Sequence, residues 1–561
     1  MSRSERMSSI DTSWLRMDRP TNLMMITGVM MLEGPVDLDA VERRLEEGLL
    51  VFPRFRQRVA TYPTGLFWVD DKSFDISRHI KRIRLPGLGG KAELQRYVAE
   101  LAATPLNMSH PLWQFTLVED YEGGAALVSR IHHAIGDGMA LIAVLISMTD
   151  ASPDGAATIE SPVDVDDEDE SGPYGLFAPV RRIIDLGVDL SRRAVQEGMG
   201  LAAKPARAFD LLRGGIGVAA ELAYLLVMPS DSQTRFKGQP GGDKRVAWTD
   251  AIPLPEVKAV SQALGCSVND MLLTAVAGAL RSYLEDRGDE TEGVEVRALV
   301  PINLREKGSE FELGNYFGII AIELPVGIEN PLERLYELRR RMDALKQSYE
   351  PPVTLGLFAA LGYAPKLVQD SLFDMLVARA TAVMTNVPGP QYPLYIGGSR
   401  INQIMFWVPQ SGSIGMGVSI LSFDGKVQFG LITDSAMVPD PEAIIAGFQP
   451  EFEKLLYFAL MEAWAETDVE LHKNQRRTFP DMDEPEPQPA PRPKRTTRSR
   501  AAPAEDASRP KTPRVRPAAK RLKAKPAAKA PAKSGAAAKS GAAAKPRAAR
   551  PRSKAATPES A

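Results

Sequence analysis

The sequence predicts a mixed α/β protein with two large domains, a linker between them and a disordered tail. Of its 561 residues, 44% are hydrophobic, enough for two substantial cores. Short β-rich runs and runs of helical period occur both before and after an acidic, partly apolar linker. The end of the chain is rich in Ala, Pro and Lys and has few large apolar side chains, so it cannot bury enough surface to fold. We place the four parts at residues 1–160, 161–240, 241–470 and 471–561.

The first domain is expected to begin with a short capped helix and a strand from Met24 to Leu32, whose methionines are interpreted as core residues. A helical period follows from Leu38 to Leu50, and a second strand lies near Gly65 to Val69. The alternating run from Gln114 to Glu119 predicts a strand that pairs with the next strand through a turn at Tyr121–Gly124.

The most informative stretch reads LVSRIHHAIGDGMA and contains two adjacent histidines, His132 and His133, at the end of a β-rich run. Asp137 and Gly138 then precede an apolar helical run. Asp137 is a good N-cap residue, and Gly138 is expected to relax the backbone there. This pattern holds an imidazole at a strand end, within reach of a substrate. A histidine with an ordinary pKa of about 6.5 is well matched to proton transfer at neutral pH.

Simpler interpretations of the histidines stay open at this point. A histidine at a strand end is often a satisfied core residue, and a His-His pair followed by Asp can be part of a zinc site. The chain offers no second cluster to complete such a site, so we expect no metal; the other His and Cys residues are isolated at His79, His110, His472 and Cys266. The sequence also lacks a G-x-S-x-G elbow, a P-loop and a G-x-G-x-x-G fingerprint.

The linker is acidic from Ser161 to Gly172 and then carries two apolar segments with helical features, at 180–195 and 214–228. One interpretation is an interfacial helix that docks on a membrane or lipid droplet. The other is a helix pair packed between the domains. Neither segment reaches the roughly 18 uninterrupted apolar residues of a membrane span.

In the second domain, Ser267 and Asp270 have the spacing of a capping box ahead of a helix from Met271 to Leu284. A hairpin is predicted from Gly415 to Ile432, with its turn at Asp424–Gly425.

The motif H-H-x-x-x-D-G, from His132 to Gly138, resembles that of the CoA-dependent acyltransferase superfamily. The doubled histidine and the final glycine resemble the bacterial wax ester synthase/diacylglycerol acyltransferase family. Five further blocks resemble this family in order along the chain: Pro111-Leu112-Trp113, Asn269-Asp270, Pro301-Ile302-Asn303-Leu304-Arg305, Leu313 to Gly318 and Thr385 to Pro390. The resemblance runs from about Met7 to about Glu466 and excludes the tail.

This resemblance implies two chloramphenicol-acetyltransferase-like domains and O-acyl transfer from acyl-CoA to diacylglycerol, to a fatty alcohol, or to both. Acyl-CoA would be a co-substrate, and no cofactor is expected. His133 would be the general base, and His132 would support the turn or shape the pocket. Asp137 would be structural and pair with an arginine, for which Arg305 is the candidate.

The resemblance also places Asn269 and Asp270 near the active centre, where they and Gly138 would bind substrate or support the site. Two rival functions stay open. One is a condensation or acyltransferase module of natural-product synthesis that takes its donor from a carrier protein. The other is a non-catalytic scaffold that binds lipid droplets or nucleic acid.

Charge is distributed unevenly along the chain. The tail from Leu471 to Ala561 has 24 basic and 7 acidic residues, a net charge of +17, against −20 for the 44 basic and 64 acidic residues before it. The tail is interpreted as a tether to anionic lipid or nucleic acid, or as a solubilising segment. Because no signal peptide is evident and a single cysteine excludes an intramolecular disulfide, we expect a cytoplasmic protein. Its expected place is the inner face of the plasma membrane or lipid droplets, and its oligomeric state is left open.

Overall fold

The computed structural model of the protein describes residues 4–155, 228–305, 313–345 and 350–478. The acidic stretch and the helices predicted between residues 161 and 227 lie outside the described residues, as does the tail from residue 479 onward.

The described elements up to residue 155 begin with a short strand and end with the helix that follows the two histidines. The strands are β1 (Ser4–Arg6), β2 (Met25–Leu32), β3 (Gln57–Tyr62), β4 (Gly65–Asp70), β5 (Ile80–Arg84), β6 (Trp113–Tyr121) and β7 (Gly124–His132). The α-helices are α1 (Ser9–Arg16), α2 (Leu38–Arg44), α3 (Lys91–Ala103) and α4 (Gly138–Ser147). One π-helical turn (Leu45–Leu49) extends α2, and two 3₁₀ turns occur at Pro53–Arg56 and Ile76–Arg78.

The described elements from residue 228 onward form groups of strands separated by groups of longer helices. The strands are β8 (Lys244–Trp248), β9 (Ile252–Pro253), β10 (Val296–Asn303), β11 (Phe317–Leu324), β12 (Ala382–Pro388), β13 (Tyr395–Ile396), β14 (Ser399–Trp407), β15 (Met416–Phe423) and β16 (Lys426–Asp434). The α-helices are α5 (Leu254–Ala263), α6 (Val268–Glu285), α7 (Pro331–Leu345), α8 (Glu350–Leu361), α9 (Lys366–Val377) and α10 (Pro441–Thr478).

The sheet that carries the two histidines has the strand order β13-β14-β2-β7-β6-β5. The predicted pairing with the preceding strand is confirmed, since β7 pairs antiparallel with β6 through a hairpin. On its other side β7 pairs antiparallel with β2, a neighbour that the sequence did not indicate. The hairpin turn places Asp120, Glu122 and Gly123 at positive φ, which reverses the chain between two long strands.

Two strands of this sheet, β13 and β14, come from the later part of the chain. Strand β14 pairs antiparallel with β2, with Met405 opposite Val29. The second sheet, ordered β11-β10-β12-β15-β16-β8 with β9 beside β16, therefore does not hold all the strands of residues 241–470. The division into domains at residues 160 and 241 stays a prediction, and the chain crosses between the two sheets after β12. A small sheet of order β1-β4-β3 completes the fold.

The two strongest local predictions in the second half are confirmed. Ser267 and Asp270 form a capping box at the start of α6, a helix that is largely buried beside the second sheet. Strands β15 and β16 form a hairpin whose turn residues Asp424 and Gly425 have φ of 47° and 71°. Within the described ranges, no single helix is long and apolar enough to span a bilayer; only the bent pair α5 and α6 would pass together on length and composition.

Candidate active site

The two histidines lie at the end of β7, where the backbone is tied to both neighbouring segments. The His132 amide donates to the Leu112 carbonyl (2.9 Å), and the His133 amide donates to the Met24 carbonyl (2.8 Å). Asp137 then caps α4, because its Oδ1 accepts a hydrogen bond from the Ala140 amide at 3.1 Å. The predicted strand, turn and capped helix are therefore confirmed.

His133 is buried among aromatic side chains. The Trp14 ring stacks on the imidazole with a centroid distance of 4.3 Å, and the Phe317 ring lies 5.5 Å away. Burial lowers the pKa of His133 to about 4, although the charge of Asp137 and a hydrogen bond with Asn315 act in the opposite direction. The imidazole is therefore uncharged at neutral pH, the state that a general base requires.

Asn315 determines which ring nitrogen of His133 carries the proton. Its Nδ2 donates to the backbone carbonyl of His133 (2.9 Å), and its Oδ1 lies 2.8 Å from His133 Nδ1. Since a backbone carbonyl only accepts, the amide group must face it, and Oδ1 must face the ring. Nδ1 therefore donates to Asn315, and Nε2 keeps the lone pair with which it can take a proton.

Asp11 holds the far side of this asparagine. Asn315 Nδ2 also donates to Asp11 Oδ1 at 2.9 Å, and burial raises the pKa of the Asp11 carboxyl. The sequence did not identify Asp11 or Asn315 as site residues. The available indication was the block from Leu313 to Gly318, which contains Asn315 and resembles the family at that place.

His132 has both ring nitrogens engaged in the turn. Its Nδ1 accepts from the Ala134 amide at 3.0 Å, so Nε2 carries the proton and faces Asp18 Oδ2 at 3.3 Å. Asp18 in turn accepts from the Met24 amide at 2.5 Å. These contacts agree with the interpretation that His132 supports the turn, although its role in turnover stays a prediction.

The expected arginine partner of Asp137 is Arg305. Arg305 Nη1 donates to both carboxylate oxygens of Asp137, at 2.6 and 2.7 Å, and both side chains are buried. Asp137 Oδ2 also accepts from the Tyr316 amide at 2.9 Å, and Arg305 Nη2 donates to the Gly314 carbonyl at 2.7 Å. This ion pair joins the start of α4 to the segment that carries Asn315.

Gly138 lacks the backbone role predicted for it, whereas Asp270 has its predicted role in the capping box of α6. Binding of substrate by Gly138, Asn269 or Asp270 stays a prediction. Gly138 is the first residue of α4, its φ is not in the left-handed region, and a Cβ there would meet open space. The idea that glycine relaxes the backbone here is therefore wrong. Asn269 accepts from Asn386, and Asp270 accepts from the Ser267 amide; within the described ranges neither side chain bonds to His133.

Cys266 is poorly suited to act as a nucleophile. Burial raises the pKa of the Cys266 thiol to about 12, which disfavours the thiolate that a nucleophile needs. No group of three or more His, Cys, Asp or Glu residues is arranged to hold a metal ion among the described residues.

Comparison with models of known protein families identifies the family of this chain. Residues 7–272 match the model of the wax ester synthase/diacylglycerol acyltransferase catalytic domain, and residues 313–456 match the model of the C-terminal domain of the same family. The chain belongs to this family. Its reaction class is therefore O-acyl transfer.

Individual relatives agree with this assignment. A Mycobacterium tuberculosis protein assigned as a diacylglycerol O-acyltransferase is 28% identical over 485 residues, which covers 82% of this chain and 98% of the relative. A second such protein from M. tuberculosis is 27% identical over 462 residues, covering 80% and 95%.

Solved structures confirm the predicted fold. The wax ester synthase/diacylglycerol acyltransferase from Marinobacter aquaeolei VT8 matches with a TM-score of 0.55 at 20% identity, covering 81% of this chain and all of that one. The first condensation domain of the calcium-dependent antibiotic synthetase matches with a TM-score of 0.50 at 13% identity, covering 82% and 96%. At these identities the likeness shows the two-domain fold of the CoA-dependent acyltransferase superfamily.

Proposed function

We propose that the protein transfers a long-chain acyl group from acyl-CoA to the hydroxyl of diacylglycerol, with His133 as the general base. The observation that carries this proposal is the uncharged, buried imidazole whose Nδ1–H is held by Asn315, in a chain of this acyltransferase family. Diacylglycerol is favoured because the M. tuberculosis relatives are assigned to that acceptor. A fatty alcohol is the second acceptor, because the family model covers wax ester synthesis as well.

The reaction needs one base and no covalent enzyme intermediate. His133 Nε2 takes the hydroxyl proton as the alcohol oxygen bonds to the thioester carbonyl carbon. The carbon–sulfur bond then breaks, and the imidazolium returns the proton to the sulfur of CoA. The products are an ester and free CoA, so the proton and the acyl group balance. Acyl-CoA is the co-substrate, and no cofactor takes part.

The side chains around His133 favour transfer over hydrolysis. Trp14 and Phe317 cover the ring with apolar surface, which keeps water from competing with the alcohol. His132, Asp137 and Arg305 act as positioning residues that hold the turn. Gly138, at the first position of α4 beside the Asp137 cap, is the proposed contact with substrate, and Asn269 and Asp270 support the fold at the start of α6.

Location and partners follow from the substrates. Diacylglycerol and fatty alcohols partition into membranes and lipid droplets, so we propose peripheral association with one of these surfaces. The basic tail is a candidate for the electrostatic part of that association, because each Lys or Arg near an anionic surface contributes about 1 kcal/mol.

The decisive experiment measures release of free CoA by the purified full chain. Palmitoyl-CoA would be supplied with dipalmitoylglycerol, with hexadecanol, or with no alcohol. We expect release that requires an alcohol, is faster with dipalmitoylglycerol, and falls by about 10²-fold or more in His133→Ala. His132→Ala is the matched control and should retain more activity.

Two outcomes would contradict the proposal. Near-normal turnover by a folded His133→Ala protein would show that His133 is not the general base. No release with either alcohol would shift the assignment to a carrier-protein donor, which a pantetheine-linked acyl carrier would then test.

A further inference from the structure

A cavity of about 380 Å³ lies at the edge of the histidine-bearing sheet, outside the site just described. It opens between the start of β5, the segment after α3 and the end of β7. Five of its lining side chains are basic or imidazole groups, namely Arg78, His79, Lys81, His110 and Arg130. No acidic residue of the described chain lines it.

Arg130 is the buried cation of this cavity. Only 4% of the residue is exposed, and its guanidinium donates to the carbonyls of Leu101 (2.9 Å) and Thr104 (2.5 Å) and to Gln114 Oε1 (2.6 Å). These acceptors are all uncharged, and Arg130 Nε has no hydrogen-bond partner. Within the described ranges no carboxylate forms an ion pair with it. A buried charge without a counter-charge is costly, and an anion in the cavity would offset that cost.

Two acids lie beside lining residues of the cavity, and each also accepts hydrogen bonds from a nearby serine. Asp75 accepts from the amide and hydroxyl of Ser77, and it lies 3.7 Å from Arg78 Nε. Asp71 accepts from the amide and hydroxyl of Ser73, and it lies 3.4 Å from His110 Nδ1. Lys81 is exposed and has no ion pair among the described residues. Lys81 and Arg130 therefore leave the lining with positive charge that no carboxylate of the described residues offsets.

We infer that this cavity binds a phosphate ester. Guanidinium and ammonium groups converge on it from β5, β7 and the turn before β5, which suits a multiply charged group with several acceptor oxygens. The phosphate belongs either to the nucleotide part of acyl-CoA or to the headgroup of a phospholipid. The first source rests on the proposed function, whereas the second does not.

The position of Arg130 relates the cavity to the catalytic centre. Arg130 precedes His133 by three residues, so their Cα atoms lie at most about 11 Å apart. A donor anchored here by its nucleotide would be held close to the catalytic histidine. A lipid anchored here would instead dock this edge of the protein on an anionic surface.

The test is calorimetric binding by the full chain, which needs no turnover. The probes are adenosine 3′,5′-bisphosphate and vesicles of phosphatidylcholine with or without phosphatidate. The variant is Arg78→Gln/Lys81→Gln, which leaves the buried Arg130 intact. The matched control is Arg82→Gln/Arg84→Gln, which removes the same charge from β5 at residues that pair with Glu119 and do not line the cavity.

For one of the two probes we expect binding by the wild type and a dissociation constant raised about tenfold or more in the cavity variant, but not in the control. Bisphosphate binding that follows this pattern identifies the nucleotide source, and phosphatidate-dependent vesicle binding identifies the lipid source. No binding of either probe, or equal weakening in the cavity and control variants, would overturn the inference. Because binding is measured without catalysis, this result is independent of whether the acyl transfer assay succeeds.

Discussion

At His133, desolvation and local contacts act on the protonated imidazole in opposite directions. Desolvation is the larger effect and lowers the pKa, whereas the charge of Asp137 and the hydrogen bond with Asn315 raise it. The net result is a pKa of about 4, well below the ordinary value for histidine. The base is therefore ready without first losing a proton at any pH near neutrality.

This pKa makes a prediction for the pH profile. Because the unprotonated ring is the active form, activity is lost as the pH falls through the pKa of His133 in the folded protein. We expect kcat/KM for palmitoyl-CoA to stay level on the acid side until well below pH 6.5 and then to decline with an apparent pKa of about 4. Return of samples to pH 7.5 would control for acid denaturation. A reversible midpoint near 6.5 would contradict the assigned burial of the base.

Asn315 is predicted to be a positioning residue for this base. Asn315→Ala removes the acceptor for Nδ1–H, so both ring tautomers become accessible and Nε2 is less often the basic nitrogen. We expect kcat to fall by about 10²-fold with little change in KM. Asn402→Ala, at an exposed asparagine that contacts Lys426, is the control. A kcat within threefold of wild type for Asn315→Ala would show that groups other than Asn315 set the tautomer of His133.

At the scale of elements, the start of α4 depends on a contact from the distant second half. Asp137 caps the helix and forms a buried ion pair with Arg305. Arg305→Met leaves the carboxylate buried without a counter-charge, so we expect the free energy of unfolding to fall by about 3–5 kcal/mol. Urea denaturation would measure it. The double variant Arg305→Met/Asp137→Asn should recover part of the lost unfolding free energy, because an uncharged cap remains. If Arg305→Met alone lowers the free energy of unfolding by less than about 1 kcal/mol, this interpretation is wrong.

Two glycines near the ends of α4 predict opposite effects of adding a methyl group. Gly138 begins the helix, and Gly48, in the π-helical turn Leu45–Leu49, packs against its end. At Gly138 the new Cβ would meet open space in helical backbone, so Gly138→Ala should be neutral or stabilise the fold by about 0.4–1 kcal/mol. At Gly48 it would overlap the Ser147 carbonyl and backbone of Met148, so Gly48→Ala should destabilise by about 1–3 kcal/mol. Thermal and urea unfolding would compare the two. Destabilisation by Gly138→Ala would show that the space is not open.

At the scale of the whole molecule, the first sheet is not complete without residues from the second half. Strand β2 is buried along its whole length, and β14 covers one of its edges. A fragment of residues 1–160 would expose that edge, which invites aggregation. We expect the fragment to give no soluble monomer with cooperative unfolding, in contrast to a chain of residues 1–481. A well-folded 1–160 fragment would contradict this dependence.

The positive charge of the tail predicts that the tail affects membrane binding but not catalysis. A chain that ends at residue 481 should keep its CoA release when the alcohol is dispersed in detergent. Its binding to anionic vesicles should be weaker than that of the full chain, and the difference should shrink at high salt because such contacts are screened. Vesicle sedimentation would measure this. Equal binding by both chains would place the membrane contact elsewhere.

The sequence determined the features that depend on neighbours along the chain. The strand that ends in His132 and His133, the cap at Asp137, the capping box at Ser267 and the hairpin at Asp424 were all predictable, because their hydrogen bonds close within a few residues. The resemblance to the family supplied the reaction class and the candidate partner Arg305, which lies 168 positions from Asp137.

Only the tertiary structure decided what surrounds the base. Asn315 meets His133 across 182 positions and Asp11 across 304, so no local pattern indicates either contact. The pKa of His133, the strand that β14 adds to the first sheet and the uncompensated charge of Arg130 are likewise consequences of packing. Burial and the partners it brings set a side chain's protonation and charge, and both are properties of the folded chain rather than of the residue type.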